Sequence, residues 1–333
     1  MYDMHYDLLT ILYFNLIKGN KFANKEKLLN DLANIYGNNN VIGGIINLYF
    51  MTPDEMQEEI DISLDEMKDL KKMFLKSIEY LNEMKKMQII PKETDFIYSI
   101  EGCDYIKNSD ELEELYILGL RSILPVWNQK NQYGSGNRTN EGLTNEGEKL
   151  IKKAIELGII IDLSHANQQT FDDIINLYKN EKKENSIIMA SHSNVRSLCD
   201  RERNLTDEQL LKLKNVEGYI GLFTNGNFLS KDNEQISYSQ RQINFLNHLN
   251  YIINEIKFDI NKIIISTDDM NYNPDESYHH LEAFPIENIK DKLFQLISLH
   301  YGEKVANKIM TENAQGIINK VNNKEKIYCG KHI

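Results

Sequence analysis

The sequence predicts an α/β protein, a (β/α)8 TIM barrel with a helical insertion after the second strand. Three observations predict it. Eight short runs dense in Ile, Val, Leu and Tyr are spread along the chain, and amphipathic segments lie between them. The length of 333 residues holds a barrel of about 250 residues with room for an insertion and a tail. The residues that carry chemistry fall at the ends of the runs, as they do in barrels of this kind.

The runs occupy residues 1–5, 43–49, 96–100, 122–126, 159–163, 187–190, 219–223 and 263–266. Most lack polar alternation, as expected of parallel strands covered on both faces. Between the second and third runs, Ile60, Leu64, Met67, Leu70, Phe74, Ile78, Leu81 and Met84 recur every three or four residues, which predicts a helix over 54–87. Its methionines read as core filler. Thr52-Pro53-Asp54-Glu55 is a capping box with proline at the first helical position. A second box, Thr206-Asp207-Glu208-Gln209, opens a helix over 207–213. A further helix over 245–256 contains His248 at its middle, where a structural role is expected. The polar loop 128–145, with Gly134, Gly136 and Gly142, reads as functional rather than as a boundary. No linker divides the chain, so residues 1–320 are expected to form a single barrel domain, followed by a charged tail over 321–333.

Composition narrows the function. Hydrophobic residues make up 41% and charged residues 26%, enough for a large core. The formal net charge of −12 argues against a nucleic-acid partner, which needs a basic surface. Cys103, Cys199 and Cys329 are odd in number and show no CxxC spacing, which favours a reducing compartment over a disulfide framework. The N-terminal residues lack the pattern of a signal peptide, and the longest apolar stretches, such as 41–51, are too short to span a bilayer. A cytoplasmic protein without a membrane partner is expected.

The chemistry collects at strand ends. His5 and Asp7 close the first run, Glu101 the third, His165 the fifth, His192 the sixth and Asp268 the eighth. Each alone is weak, because a strand-end histidine is more often an ordinary polar residue. Together, on the C-terminal rim of a barrel, three imidazoles and three carboxylates form the ligand set of a metal site. They suffice for two ions sharing one carboxylate. By contrast, His279-His280 lies in a polar loop and His300 and His332 carry no signal. Ser164 and Ser191 neighbour candidate ligands without implying a Ser-His-Asp triad, and Cys103 and Cys199 read as inert small residues.

At these residues the chain resembles the renal or membrane dipeptidase family of binuclear zinc peptidases. The likeness runs from His5 to about Ile318. It is carried by Asp3-Met4-His5-Tyr6-Asp7, Ile100-Glu101-Gly102, Leu118-Gly119-Leu120-Arg121-Ser122-Ile123-Leu124, Trp127-Asn128 with Asn131, Gly142-Leu143-Thr144, Ile161-Asp162-Leu163-Ser164-His165, Ser191-His192-Ser193, and Arg203-Asn204 followed by Asp207. The resemblance implies two Zn2+ per chain, with His5 and Asp7 on one, His165 and His192 on the other, and Glu101 bridging them. It further implies that Arg203 grips a substrate carboxylate, that Asp268 handles protons and the substrate amine, and that Trp127 and Asn204 contact substrate. Two departures stand out. Trp127 occupies the place of a substrate-contacting histidine of animal members, and the stretch after the eighth strand reads Thr267-Asp268-Asp269-Met270-Asn271 without the family's glycine.

The implied activity is hydrolysis of dipeptides with a free C-terminal carboxylate, through a hydroxide held between the metals. Peptide hydrolysis at neutral pH needs a strong nucleophile and a charge to meet the oxyanion, and a metal-bound water with its pKa lowered to about 7 supplies the first. The guanidinium fork of Arg203 suits a terminal carboxylate. The alternative is a binuclear-metal amide hydrolase acting on a peptide-like metabolite in a biosynthetic pathway, with 269–271 and 278–280 redirecting substrate choice. The resemblance leaves room for a homodimer.

Overall fold

The computed structural model describes residues 1–14, 25–37, 40–49, 69–232, 235–268, 283–284 and 288–322. Eight parallel strands follow one another in chain order: β1 (Asp3–Tyr6), β2 (Gly43–Tyr49), β3 (Asp95–Glu101), β4 (Leu120–Leu124), β5 (Ile160–Asp162), β6 (Ile188–Ala190), β7 (Tyr219–Phe223) and β8 (Ile263–Ser266). All eight were predicted, each within two residues at either end. The sheet curls into a nearly closed barrel. At the seam the Asp268 N–H donates to the His5 carbonyl at 2.9 Å, and the Thr267 N–H and hydroxyl both donate to the Asp3 carboxylate. A side chain thus does there what ladder hydrogen bonds do elsewhere.

Helices cover the outside. They are α1 (Leu8–Leu12), α2 (Lys25–Gly37), α3 (Leu70–Lys86), α4 (Ser109–Ile117), α5 (Asn145–Leu157), α6 (Gln168–Glu181), α7 (Asp207–Asn215), α8 (Tyr238–Asn254), α9 (Ile289–Tyr301), α10 (Glu303–Asn307) and α11 (Asn313–Asn322). The continuous helix predicted over 54–87 is corrected. Asp69 stands at φ −99° and ψ 60°, outside the helical region, and its side chain caps α3 by accepting from the Lys72 N–H at 3.3 Å. The hydrophobic period passes through Asp69, but the cap resets the backbone. Residues 54–68 and the box at Thr52 lie outside the described residues; α3 itself lies on the connection from β2 to β3. The second box is present in full on α7, with Thr206 and Gln209 capping reciprocally. The last helix runs to Asn322 with Val321 buried, past the expected domain end at 320.

Inside the barrel the strands alternate by height. A lower layer of Met4, Ile45, Ile97, Ile160, Met189 and Ile264 is sealed from below by Ala314, Ile317, Ile318 and Val321 of α11. Along six of the eight strands, β2 to β6 and β8, the next inward position is small and polar: Asn47, Ser99, Ser122, Asp162, Ser191 and Ser266, all buried. Above these lie Tyr49, Glu101 and Asp268, and the register Asn47↔Ser99 and Tyr49↔Glu101 fixes the levels of β2 and β3. The interior is therefore apolar below and increasingly polar towards the C-terminal rim.

Candidate metal centre

Strand ends deliver every predicted ligand to this rim. Two do so from backbone conformations that L-residues rarely adopt, His165 at φ 70° and Asp268 at φ 46°. Such left-handed positions cost of order 1–3 kcal/mol each and persist where surrounding structure holds them. The Asp268 N–H bond to β1 is one such restraint.

Glu101 is the hub. Its Oε2 lies 2.9 Å from Nε2 of His5, while its Oε1 lies 2.9 Å from Nε2 of His165 and 3.8 Å from Nε2 of His192. The Nε2 atoms of His165 and His192 are 3.1 Å apart. On the other side, the ligand atoms of His5, Asp7 and Asp268 lie within 4.8 Å of one another, as do those of His5, Glu101 and His192. Each imidazole is fixed from behind through Nδ1. His165 meets Asn128 Oδ1 at 2.8 Å, and His5 and His192 both meet the Ser191 hydroxyl, at 2.9 and 2.8 Å. The Nε2 atoms are thereby turned towards Glu101 and one another.

The electrostatics follow from crowding buried charges. Burial raises Asp7 well above the carboxylate range, reinforced by Glu101 and Asp268. Burial also raises Asp268, to about 6, with His5 pulling it down and Glu101 pushing it up. For Glu101 burial acts upward, but the neighbouring His5 and His165 outweigh it and hold the group below its usual value. Burial would lower His5, yet Glu101, Asp268 and Asp7 push it to about 10. Burial lowers His165 to about 3, helped by the Arg203 charge, and lowers His192 well below its ordinary value, helped by His5 and Arg203. Asp7 Oδ1 is buried without a hydrogen-bond partner. Two imidazoles held neutral at His165 and His192, a third drawn in by the surrounding carboxylates at His5, and an orphaned carboxylate oxygen fit divalent cations such as zinc, whose charge would replace the proton on His5.

The centre forms the floor of a cavity of about 680 Å³. Trp127 and Tyr49 make one wall, edge to face at 5.3 Å, and Trp127 leans over the His165 ring at 5.8 Å. Phe223 and Phe228, stacked at 4.9 Å, line the cavity as well. Arg203 also lines it, half-buried, with one guanidinium nitrogen donating to the His192 carbonyl at 3.2 Å. Burial lowers Arg203 to about 10, so it stays charged at neutral pH.

Asn204 is placed differently from its neighbour. Its amide donates to the carbonyls of Cys199 and Phe228, and its Oδ1 accepts from the Asn194 N–H. It lies behind the cavity wall and staples the loop after β6 to the loop after β7. His248 joins the same loops, accepting from the Val195 N–H at 3.1 Å and meeting the Leu229 carbonyl at 3.2 Å. Its structural role is thus a specific clamp. Cys103 and Cys199 are buried free thiols, both raised by burial.

A family model described as membrane dipeptidase, peptidase family M19, matches residues 1–328. The chain belongs to this family. Among curated relatives, an uncharacterized protein in the PQQ-III 3' region of Acinetobacter calcoaceticus is 30% identical over 174 residues, covering 50% of this chain and 53% of that protein. Another, in the pqqA 5' region of Klebsiella pneumoniae, is 35% identical over 152 residues, 43% of this chain and 54% of that protein. The chain thus spans about half the length of the curated relatives it matches. A metallo peptidase from Rhodobacter sphaeroides, solved with a phosphinate mimic of the dipeptide L-Ala-D-Ala, shares the fold with a TM-score of 0.71. It is 21% identical and covers 96% of this chain and 98% of its own. Among the described residues, no helix of this M19 member is long and apolar enough to cross a membrane.

Sequence reasoning passed over Asn128 as the support of His165, Ser191 as the support of two histidines, and the aromatic walls of Tyr49, Phe223 and Phe228. The inward alternation of small polar residues was the available signal for Ser191. The segments 269–271 and 278–280, expected to shape substrate choice, lie outside the described residues.

Proposed function

We propose that this chain is a zinc-dependent dipeptidase that cleaves dipeptides bearing a free C-terminal carboxylate. The observation that carries the reading is the split of Glu101, with one oxygen towards His5 and the other towards His165 and His192. That is how a carboxylate shared by two ions must stand. His5 and Asp7 would hold one ion, His165 and His192 the other. Bound there, the pair would lower the pKa of water towards neutrality and polarise the scissile carbonyl. Asp268, at the cavity edge with its pKa raised to about 6, accepts the proton released on attack and returns it to the leaving amine. Arg203 receives the terminal carboxylate through its charged fork and so limits the substrate to one residue beyond the scissile bond. Trp127 and the Phe223–Phe228 pair pack the side chains and exclude water.

Chelator-stripped protein should be inactive towards a dipeptide library and regain hydrolysis with about two equivalents of Zn2+. Full activity without metal, or no hydrolysis of any dipeptide after loading, would overturn the proposal. A second reading, an amide hydrolase of a peptide-like metabolite, draws on the two relatives named for positions beside PQQ genes. A metabolite amide cleaved in preference to every dipeptide would favour it. The buried free thiols of Cys103 and Cys199 support a reducing, cytoplasmic location.

A further inference from the structure

We propose that the Ser191 hydroxyl is a positioning group shared by both metal halves, one oxygen that orients a histidine of each ion. The inference rests on the binuclear reading above and concerns a residue outside the ligand set. Ser191 Oγ lies 2.9 Å from Nδ1 of His5 and 2.8 Å from Nδ1 of His192, and the two rings stand 3.6 Å apart between centroids. An imidazole that ligates through Nε2 carries its hydrogen on Nδ1 and needs an acceptor for it. A serine oxygen has two lone pairs, so this one oxygen accepts from both rings.

Asp162 holds the backbone that carries this hydroxyl. Asp162 Oδ1 already accepts from the Ser164 and Ser191 N–H groups, each at 3.0 Å, which pins the Ser191 backbone. Asp162 Oδ2 is buried, has no partner and lies 4.0 Å from the same His5 nitrogen. A hydroxyl behind two imidazoles, on a backbone pinned by a buried carboxylate, is an outer-shell arrangement that orients metal ligands, here serving two ions at once. His165 stands outside it, held by Asn128. The consequence is coupling: whatever seats His5 for one ion also seats His192 for the other.

The test is a metal titration of the chelator-stripped full chain, read by calorimetry with Zn2+ and by visible absorption with Co2+. Ser191→Ala should weaken both ions together, by roughly 10–100-fold, the usual worth of an outer-shell partner. Asp7→Asn, the comparator, should weaken one ion far more than the other. The melting temperature of the metal-free Ser191→Ala protein gives the purely structural effect separately. If Ser191→Ala fails to fold, Asp162→Asn is read in the same titration, with the same joint loss expected. Unchanged constants, or a loss confined to one ion, would overturn the proposal. A wild-type chain that takes up no metal would instead overturn the binuclear reading beneath it, so the two failures are distinct.

Discussion

Lowering the pH from 7 to 5 should cost the fold about 2 kcal/mol through His248 alone. Burial lowers this imidazole from 6.5 to about 4. Between those values the unfolded chain binds the proton and the folded chain does not, so stability rises with pH. The contribution is fully present above 6.5 and is lost as the pH falls towards 4. At pH 5 the unfolded histidine is almost wholly protonated and the folded one about a tenth. Linkage then gives a penalty of about 2 kcal/mol, against about 0.2 kcal/mol at pH 7. Protonation would in addition take the lone pair with which Nδ1 accepts the Val195 N–H. Urea unfolding of metal-stripped wild type and His248→Gln at both pH values isolates the effect, because the other titrating groups cancel in the double difference. The wild type should lose about 2 kcal/mol more than the variant. Equal losses would refute the clamp.

Three further outcomes are expected. Glu101→Gln should abolish joint occupancy of the centre and nearly all hydrolysis, checked by elemental analysis after zinc loading. Asp268→Asn should keep its metal but lose ~10²–10⁴-fold in kcat, the range for a general acid–base; an unimpaired kcat would remove Asp268 from proton transfer. Gly136→Ala should loosen His165, because its Cβ would sit 1.7 Å from the Trp127 carbonyl oxygen and 2.5 Å from the Asn128 carbonyl carbon. Overpacking of this kind costs roughly 1–3 kcal/mol, so a melting temperature and kcat equal to wild type would contradict the support assigned to that loop.

The barrel was legible because parallel strands, covered by helices outside and packed side chains inside, leave apolar runs that stand out from amphipathic helices. The candidate ligands were legible because barrel chemistry sits where strands end. What escaped depended on direction rather than composition. Arg203 and Asn204 are adjacent in sequence, but successive side chains point apart, so one lines the cavity and the other staples loops behind it. Ser191 stood beside a ligand and still went unassigned, because only the curl of the sheet brings His5 onto the same hydroxyl. Asp69 broke a helix whose hydrophobic period ran through it, since capping is a local hydrogen bond that periodicity does not record.

The most direct measurement of the central claim compares a dipeptide with its C-terminal amide, on wild type and Arg203→Ala, both zinc-loaded. A charge-assisted hydrogen bond to the carboxylate contributes roughly 1.5–3 kcal/mol, about ten- to hundredfold in kcat/KM. Wild type should prefer the free acid by that factor. Arg203→Ala should lose most of the preference while its rate on the amide stays nearly unchanged. Equal hydrolysis of acid and amide by the wild type, or a parallel loss on both substrates in the variant, would contradict a dipeptidase that reads its substrate by the terminal carboxylate.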